Sequence, residues 1–225
     1  MRTELQPPLI LLYGGGVESA ALLERLLAEG ELVWPVYEHW GLHWDDCALL
    51  YSHRSCQFHE SKNLHPLTEI RASQREVLAN HWAVTGSNVP RSGDPPLAME
   101  IPSRNLMLLA IAATRFPQLP ELRFVLGTTA DNKFSDGTRA FFDNCERVMT
   151  LDCRRPVEIM TPLIHMSKQD VIRGSDIATL SYSFSCVDPH DNQHCGICYK
   201  CGRRRQAFQQ AGVDDPTIYV HDYNS

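Results

Sequence analysis

The 225-residue sequence has no apolar run near the ~18 residues that a membrane-spanning helix needs. The longest run, Leu106–Ala113, is about half that length and reads as a helix buried on most sides. Met1–Pro8 carries no apolar signal core, so the expectation is a chain that is not secreted and works in the cytoplasm. An excess of positive charge is also missing. The 21 Lys+Arg against 27 Asp+Glu leave a net charge of −6, which excludes a general nucleic-acid binder. An anionic ligand must then meet a local basic cluster, and Arg203-Arg204-Arg205 is the densest. No internal repeat or low-complexity stretch interrupts the chain. At 43% hydrophobic and 21% charged, it can bury a sizeable core, and one domain over residues 1–225 is expected.

Short apolar runs alternate with helical patterns. Leu9–Tyr13, Leu32–Tyr37, Leu64–Thr68, Arg123–Gly127 and Val157–Met160 read as strands. Val17–Leu27, Asp45–Lys62, Ser103–Arg115 and Gly137–Met149 read as helices, the first ended by Gly30. Ser167-Lys168-Gln169-Asp170 is a capping box, with Asp170 in place of the usual Glu or Gln. Val84–Pro96, rich in Gly, Pro and Ser, reads as a loop. The alternation predicts an α/β fold, a parallel sheet with helices on both faces.

Eight cysteines in a chain without a signal segment point to metal binding more than to disulfides. Cys186, Cys195, Cys198 and Cys201 form C-x8-C-G-x-C-x2-C. Thiolates are soft anionic donors, and four of them close a tetrahedral zinc site with no open position, so the zinc is expected to be structural. This knot, residues 186–201, falls outside the strand–helix rhythm and reads as an appendage to the same domain. His190 and His194 lie in the first gap and are alternative ligands for one cysteine. Cys47, Cys56, Cys145 and Cys153 are scattered and read as core residues or idle thiols.

After the first strand comes Gly14-Gly15-Gly16-Val17-Glu18-Ser19, then a helix. Glycine lets a backbone approach an oxyanion, and the N–H groups opening a helix point at it. Ser19 adds a hydroxyl. No Gly-Lys-Ser/Thr follows, and the G-x-G-x-x-G spacing is absent, so neither a Walker loop nor a dinucleotide fingerprint is present.

The loop resembles the Ser-Gly-Gly-x-Asp-Ser of PP-loop ATP pyrophosphatases. Within that class the chain resembles the 7-cyano-7-deazaguanine synthase (QueC-like) family. The shared features are the cysteine spacing, Arg204, Phe208 and Gly212-Val213-Asp214-Asp215-Pro216-Thr217. They also include Pro102-Ser103-Arg104-Asn105, Gly127-Thr128-Thr129-Ala130-Asp131 and Pro162-Leu163-Ile164-His165-Met166-Ser167-Lys168. The order of motifs is kept along nearly the whole chain. The sequence departs from the family pattern at Gly14 (usually Ser), Glu18 (usually Asp) and Gly41-Leu42-His43-Trp44 (usually Gly-Gln-Arg-His). It departs again across Asn132–Thr138, where Phe134 and Asp136 stand amid changed neighbours.

The resemblance implies an adenine nucleotide alpha hydrolase-like, Rossmann-like fold, a homodimer, and ATP with Mg²⁺ as the energy source. It implies activation of a deazapurine carboxylic acid, 7-carboxy-7-deazaguanine, as an acyl-adenylate. Ammonia then attacks, and a second ATP-driven step dehydrates the amide to the nitrile. Tyr13, Gly14, Gly15, Gly16, Val17, Glu18 and Ser19 are then expected at ATP, with Glu18, Ser19 and Lys168 in the catalytic machinery. Glu18 is a candidate Mg²⁺ ligand. Arg104, Asn105, Asp131, Phe134 and Asp136 are expected at the substrate. For Arg104 a structural ion pair, for Lys168 an exposed first-turn position, and for Asp131 and Asp136 a turn-forming role remain open. Arg203–Arg205 default to a solvated basic face, and Phe208 to core. Two further functions stay open: a relative that passes the activated acid to another amine, of a protein or small molecule, and a nucleotide-binding protein without turnover.

Overall fold

A computed structural model describes residues 7–221; residues 1–6, which carry most of the segment read above for a secretion signal, and 222–225 lie outside the described residues. The strands are β1 (Leu9–Leu12), β2 (Val33–His39), β3 (Thr68–Arg71), β4 (Leu122–Val125) and β5 (Val157–Met160). The helices are α1 (Val17–Ala28), α2 (Asp45–Phe58), α3 (Arg75–Leu78), α4 (Trp82–Thr85), α5 (Arg104–Arg115), α6 (Arg139–Cys153), α7 (Lys168–Arg173), α8 (Ile177–Ser181) and α9 (Tyr199–Ala211). All strands are parallel, in the order β3-β2-β1-β4-β5.

The alternation of side chains along β1 explains the layering. Ile10 points to one face, where it packs with Leu109 and Ala112 of α5 and Phe142 and Met149 of α6. Leu9 and Leu11 point to the other, against Leu22, Leu23 and Leu26 of α1 and Val171 of α7. Leu22 and Leu23 are fully buried, and each such side chain contributes about 1.5–3 kcal/mol. Because β1 pairs with both β2 and β4, the chain reverses its direction of winding there. A crevice therefore opens beyond the carboxyl ends of β1 and β4, the usual ligand position in such sheets.

Several readings change. The third strand begins at Thr68, not Leu64: Leu64 makes one isolated bridge to Val33, and Pro66, without an N–H, cannot continue the ladder. Helix α2 stops at Phe58, short of Lys62; past it Asn63 donates to the Gly30 carbonyl at 3.1 Å and turns the chain back to the sheet. Helix α5 buries one face only, Leu109, Ala112 and Ala113, while Leu106 is 45% exposed. Its apolar run is therefore a stripe plus exposed residues. The capping box at α7 is also partly different. Ser167 Oγ accepts from Asp170 N, but the Asp170 carboxylate takes the Ser167 hydroxyl at 2.5 Å, being too short to reach back to the backbone. Within the stretch read as a loop, Val84 and Thr85 complete α4, and Pro96 opens a 3₁₀ turn, Pro96–Met99.

Candidate active site

The crevice contains a cavity of about 300 Å³, lined at the sheet by the carboxyl ends of β1, β2 and β4. At one end lies the glycine loop. Gly15 has φ +72°, and a Cβ there would meet Ser52 Oγ at 2.8 Å and the Ala48 carbonyl oxygen at 3.1 Å, so only glycine fits. Gly16 caps α1 with no side-chain hydrogen bond to the first turn, which leaves the opening amides to a ligand. Ser19 Oγ donates to Gly16 O at 3.0 Å. Tyr13, just before the loop, is buried and donates to Ser55 Oγ at 2.6 Å, which pins the end of β1 to α2. Gly127, past β4, lies so close to α1 that a Cβ would sit 2.9 Å from Glu18 Cβ. Gly14, Gly16, Glu18, Ser19 and Tyr13 line the cavity; Gly15 and Val17 stand behind them.

Three cations line the cavity, each from the first turn of a different helix: Arg104 of α5, Lys168 of α7 and Lys200 of α9. Lys168 Nζ is 2.8 Å from Glu18 Oε1. Burial, the largest single influence, would raise the Glu18 pKa, but the charge and hydrogen bond of Lys168, together with the Lys200 charge and a backbone hydrogen bond, outweigh it and hold the carboxyl below its ordinary value. Lys200 is pushed down to about 8, first by burial and then by the Lys168 charge. Lys200 is not legible as a site residue, since it sits between two cysteines of the four-cysteine cluster and only the packing of α9 turns it inward. Arg203–Arg205 do not supply the site's basic cluster. Arg204 is fully buried, bonded to Asp215 at 3.2 Å, Ser183 at 2.8 Å and the Leu180 carbonyl at 3.2 Å, so it ties α9 to the loop before Cys186. The solvated-face default fails for it. Phe208 is core, stacked under that guanidinium.

Of the remaining sequence candidates, Asn105 and Phe134 line the cavity, whereas Asp131 and Asp136 are not in its lining. Asp131 accepts from Lys168 N at 2.7 Å, fixing the start of α7. Asp136 accepts from Asn105 N at 3.2 Å, and its carbonyl from Asn105 Nδ2 at 2.8 Å, fixing the start of α5.

The opposite wall is aromatic and apolar: Trp40, Leu42, Trp44, Trp82, Met99, Ile101 and Phe134. Trp44 and Trp82 stack at 5.6 Å and 25°. Asp45 shapes this wall by accepting from Trp40 N and Leu42 N, each at 2.8 Å. At the end of β2, Glu38 Oε2 accepts from Trp40 Nε1 at 2.9 Å. Burial raises the Glu38 carboxyl to about 8, against the opposing Trp40 bond and Arg104 charge.

The four Sγ atoms of Cys186, Cys195, Cys198 and Cys201 lie within 4.8 Å of one another, all buried, and can hold a metal ion. Amides donate to them: Asp188 N and Cys195 N to Cys186, Cys198 N and Ile197 N to Cys195. Neither histidine joins them. His194 Nε2 accepts from Ser185 N, and burial holds that imidazole down at about 3; His190 is exposed. The knot is not a loose appendage. Cys186 lines the cavity, and Phe184 N donates to Gly15 O at 2.7 Å, so the segment entering the knot clamps the glycine loop. Of the other thiols, Cys47 and Cys145 are buried, and Cys56 and Cys153 half-buried.

Residues 9–212 match the family model for queuosine biosynthesis protein QueC. A 7-cyano-7-deazaguanine synthase of Methanothermobacter thermautotrophicus is 26% identical over 93% of this chain and 98% of its own length. One from Chlorobium luteolum is 30% identical over 93% of this chain and 95% of its own. With the synthase of Methanococcus aeolicus the match is 31% over 53% of this chain, and the chain spans 56% of that relative's length. A solved structure, a predicted subunit of tRNA methyltransferase from Methanocaldococcus jannaschii, superposes with a TM-score of 0.50 over 96% of this chain and 93% of its own, at 10% identity, a likeness of fold alone. With the family model matched along nearly the whole described chain, this protein belongs to the QueC family.

Proposed function

We propose that the chain is an ATP-dependent carbon–nitrogen ligase that converts 7-carboxy-7-deazaguanine and ammonia to 7-cyano-7-deazaguanine. The observation that carries this reading is the uncapped helix start at Gly14–Ser19, facing Arg104, Lys168 and Lys200 across the switch-point crevice. Polyphosphate needs such an arrangement of backbone donors and cations.

The first-turn amides and Ser19 grip the diphosphate, while Tyr13 and Val17 hold the loop's shape. The substrate carboxylate oxygen attacks the α-phosphorus and pyrophosphate departs, its charge met by Lys168 and Lys200. Ammonia attacks the acyl carbon and AMP leaves. A second ATP activates the amide oxygen in the same way, and loss of AMP yields the nitrile. Glu18, an anionic oxygen donor at the diphosphate, suits Mg²⁺, which would offset phosphate charge. Arg104, Asn105 and Phe134 contact the acid, and Asp131 and Asp136 act through Lys168 and Asn105 as positioning residues. Zinc fits the thiolate cluster: bonds of ~2.3 Å give a tetrahedron with edges of about 3.8 Å, and the Cys186–Cys198 and Cys195–Cys201 sulfurs are 3.9 Å apart. With four protein ligands its part is structural, holding the wall that clamps Gly15.

The apolar Trp40–Trp44 wall favours a second reading, in which an amine of a protein or another small molecule replaces ammonia. Mass analysis of the product from ATP, the deazapurine acid and ammonium separates the two. The nitrile is the expected product. An adenylate that forms without nitrile supports the other acceptor, and sustained absence of pyrophosphate release would contradict both.

A further inference from the structure

Glu38 has an atom that the fold leaves unsatisfied. Oε2 takes the Trp40 indole N–H, but Oε1 is buried with no hydrogen-bond partner among the described residues. A buried acceptor without a donor is rare and marks a place completed by something else. The carboxyl lines the cavity at the end of β2, beside the stacked pair Trp44 and Trp82 and near Phe134. Three of the chain's four tryptophans line this one cavity, and aromatic faces suit a planar ring. Beside them a carboxylate offers two parallel acceptors, which match two adjacent N–H donors on one edge of a heterocycle.

We infer that Glu38 is a specificity residue that reads the ring N–H and the neighbouring exocyclic amino group of a 2-amino-4-oxo pyrimidine edge, the edge opposite the carboxyl group being activated. This rests on the function proposed above and names the residue that selects its substrate. Trp40 locks the carboxyl rotamer through Oε2; burial raises the carboxyl to about 8 against the opposing Arg104 charge, and two N–H donors arriving with the ring would favour the ionised form, releasing the proton to solvent.

The test compares calorimetric binding of 7-carboxy-7-deazaguanine with its analogue lacking the 2-amino group, for the intact protein and for Glu38→Gln, with ATP titrated in parallel. The intact protein is expected to prefer the amino compound by at least about tenfold, since a buried group built to pair is left unpaired by the analogue. Glu38→Gln should lose most of that preference while its ATP affinity stays within about twofold. Equal binding of both compounds by the intact protein overturns the inference without any variant. A change in ATP affinity alone in Glu38→Gln also overturns it, by assigning the carboxyl to adenine. Failure of the intact protein to bind either acid in the presence of ATP removes the proposed substrate itself, and this inference with it.

Discussion

The two ends of the cavity are built differently. At the glycine-loop end the surface is backbone: amides opening α1, with Gly15 and Gly127 in positions where a Cβ would strike Ser52 or Glu18. At the aromatic end the surface is side chains: Glu38, Trp40, Leu42, Trp44 and Trp82. The sequence departs from the family pattern at both, and the consequences differ. Gly14 and Glu18 change a side chain beside a main-chain cradle. The cradle persists, and loss of one hydroxyl contact to a charged group costs about 1.5–3 kcal/mol. At Leu42 and Trp44, by contrast, the altered side chains are themselves the wall. Under the proposed function, energy transfer is thus the tolerant half of the site and selection of substrate the labile half.

The strongest way to break this contrast is to remove what both halves share. Cys198→Ser should disrupt the knot, and with it the Phe184–Gly15 clamp and the Cys186 wall. Metal content by mass spectrometry should fall, Tm should drop by roughly 10 °C or more, and activity should vanish. Retained activity with metal lost would separate the knot from the site. Next in size is Gly15→Ala, in which the new methyl meets Ser52 and the Ala48 carbonyl at a positive φ. Pyrophosphate release should fall by about 10²–10³-fold with the acid still bound, since the donors for the diphosphate are displaced. Lys168→Ala should cost up to about 10²-fold in kcat/KM, less than the loop change because Lys200 remains, and a milder loss in Lys168→Arg would sharpen the assignment.

The smallest effect concerns stability and sets the two carboxylates against each other. Glu38 titrates in the folded state near 8, above its unfolded value, because burial disfavours its charge. The folded chain therefore holds a proton that the unfolded chain has released, and stability should decline as pH rises from about 5 to 8. Glu18 is held low by Lys168, so its contribution is present above the unfolded carboxylate pKa and is lost as pH falls through the folded one. Chemical denaturation of Glu38→Gln should flatten the alkaline decline, by on the order of 1–3 kcal/mol at pH 8. An unchanged profile would contradict the buried, unpaired state of that carboxyl.

Legibility in the sequence follows the same division. Strand, glycines and helix lie together in the chain, as do Cys195, Cys198 and Cys201, so local spacing reveals the loop and the knot. Three arginines in a row look like a charged patch, but adjacent positions on a helix point in different directions: Arg203 meets solvent and Gln206, Arg204 the core, and Arg205 the Tyr219 ring. Lys200 and Glu38 reach the cavity only because α9 and β2 converge on it, which no local pattern encodes. Asp131 and Asp136 carried a motif signal, yet their hydrogen bonds go to the starts of α7 and α5.

The most direct measurement is exchange of labelled pyrophosphate into ATP, dependent on the deazapurine acid. If the Gly14–Ser19 turn grips the departing diphosphate while the acid is joined to AMP, the intact protein should return label to ATP only when the acid is present, and Gly15→Ala should lower the exchange by about 10²–10³-fold. No acid-dependent exchange in the intact protein, or full exchange in Gly15→Ala, would contradict that role for the loop.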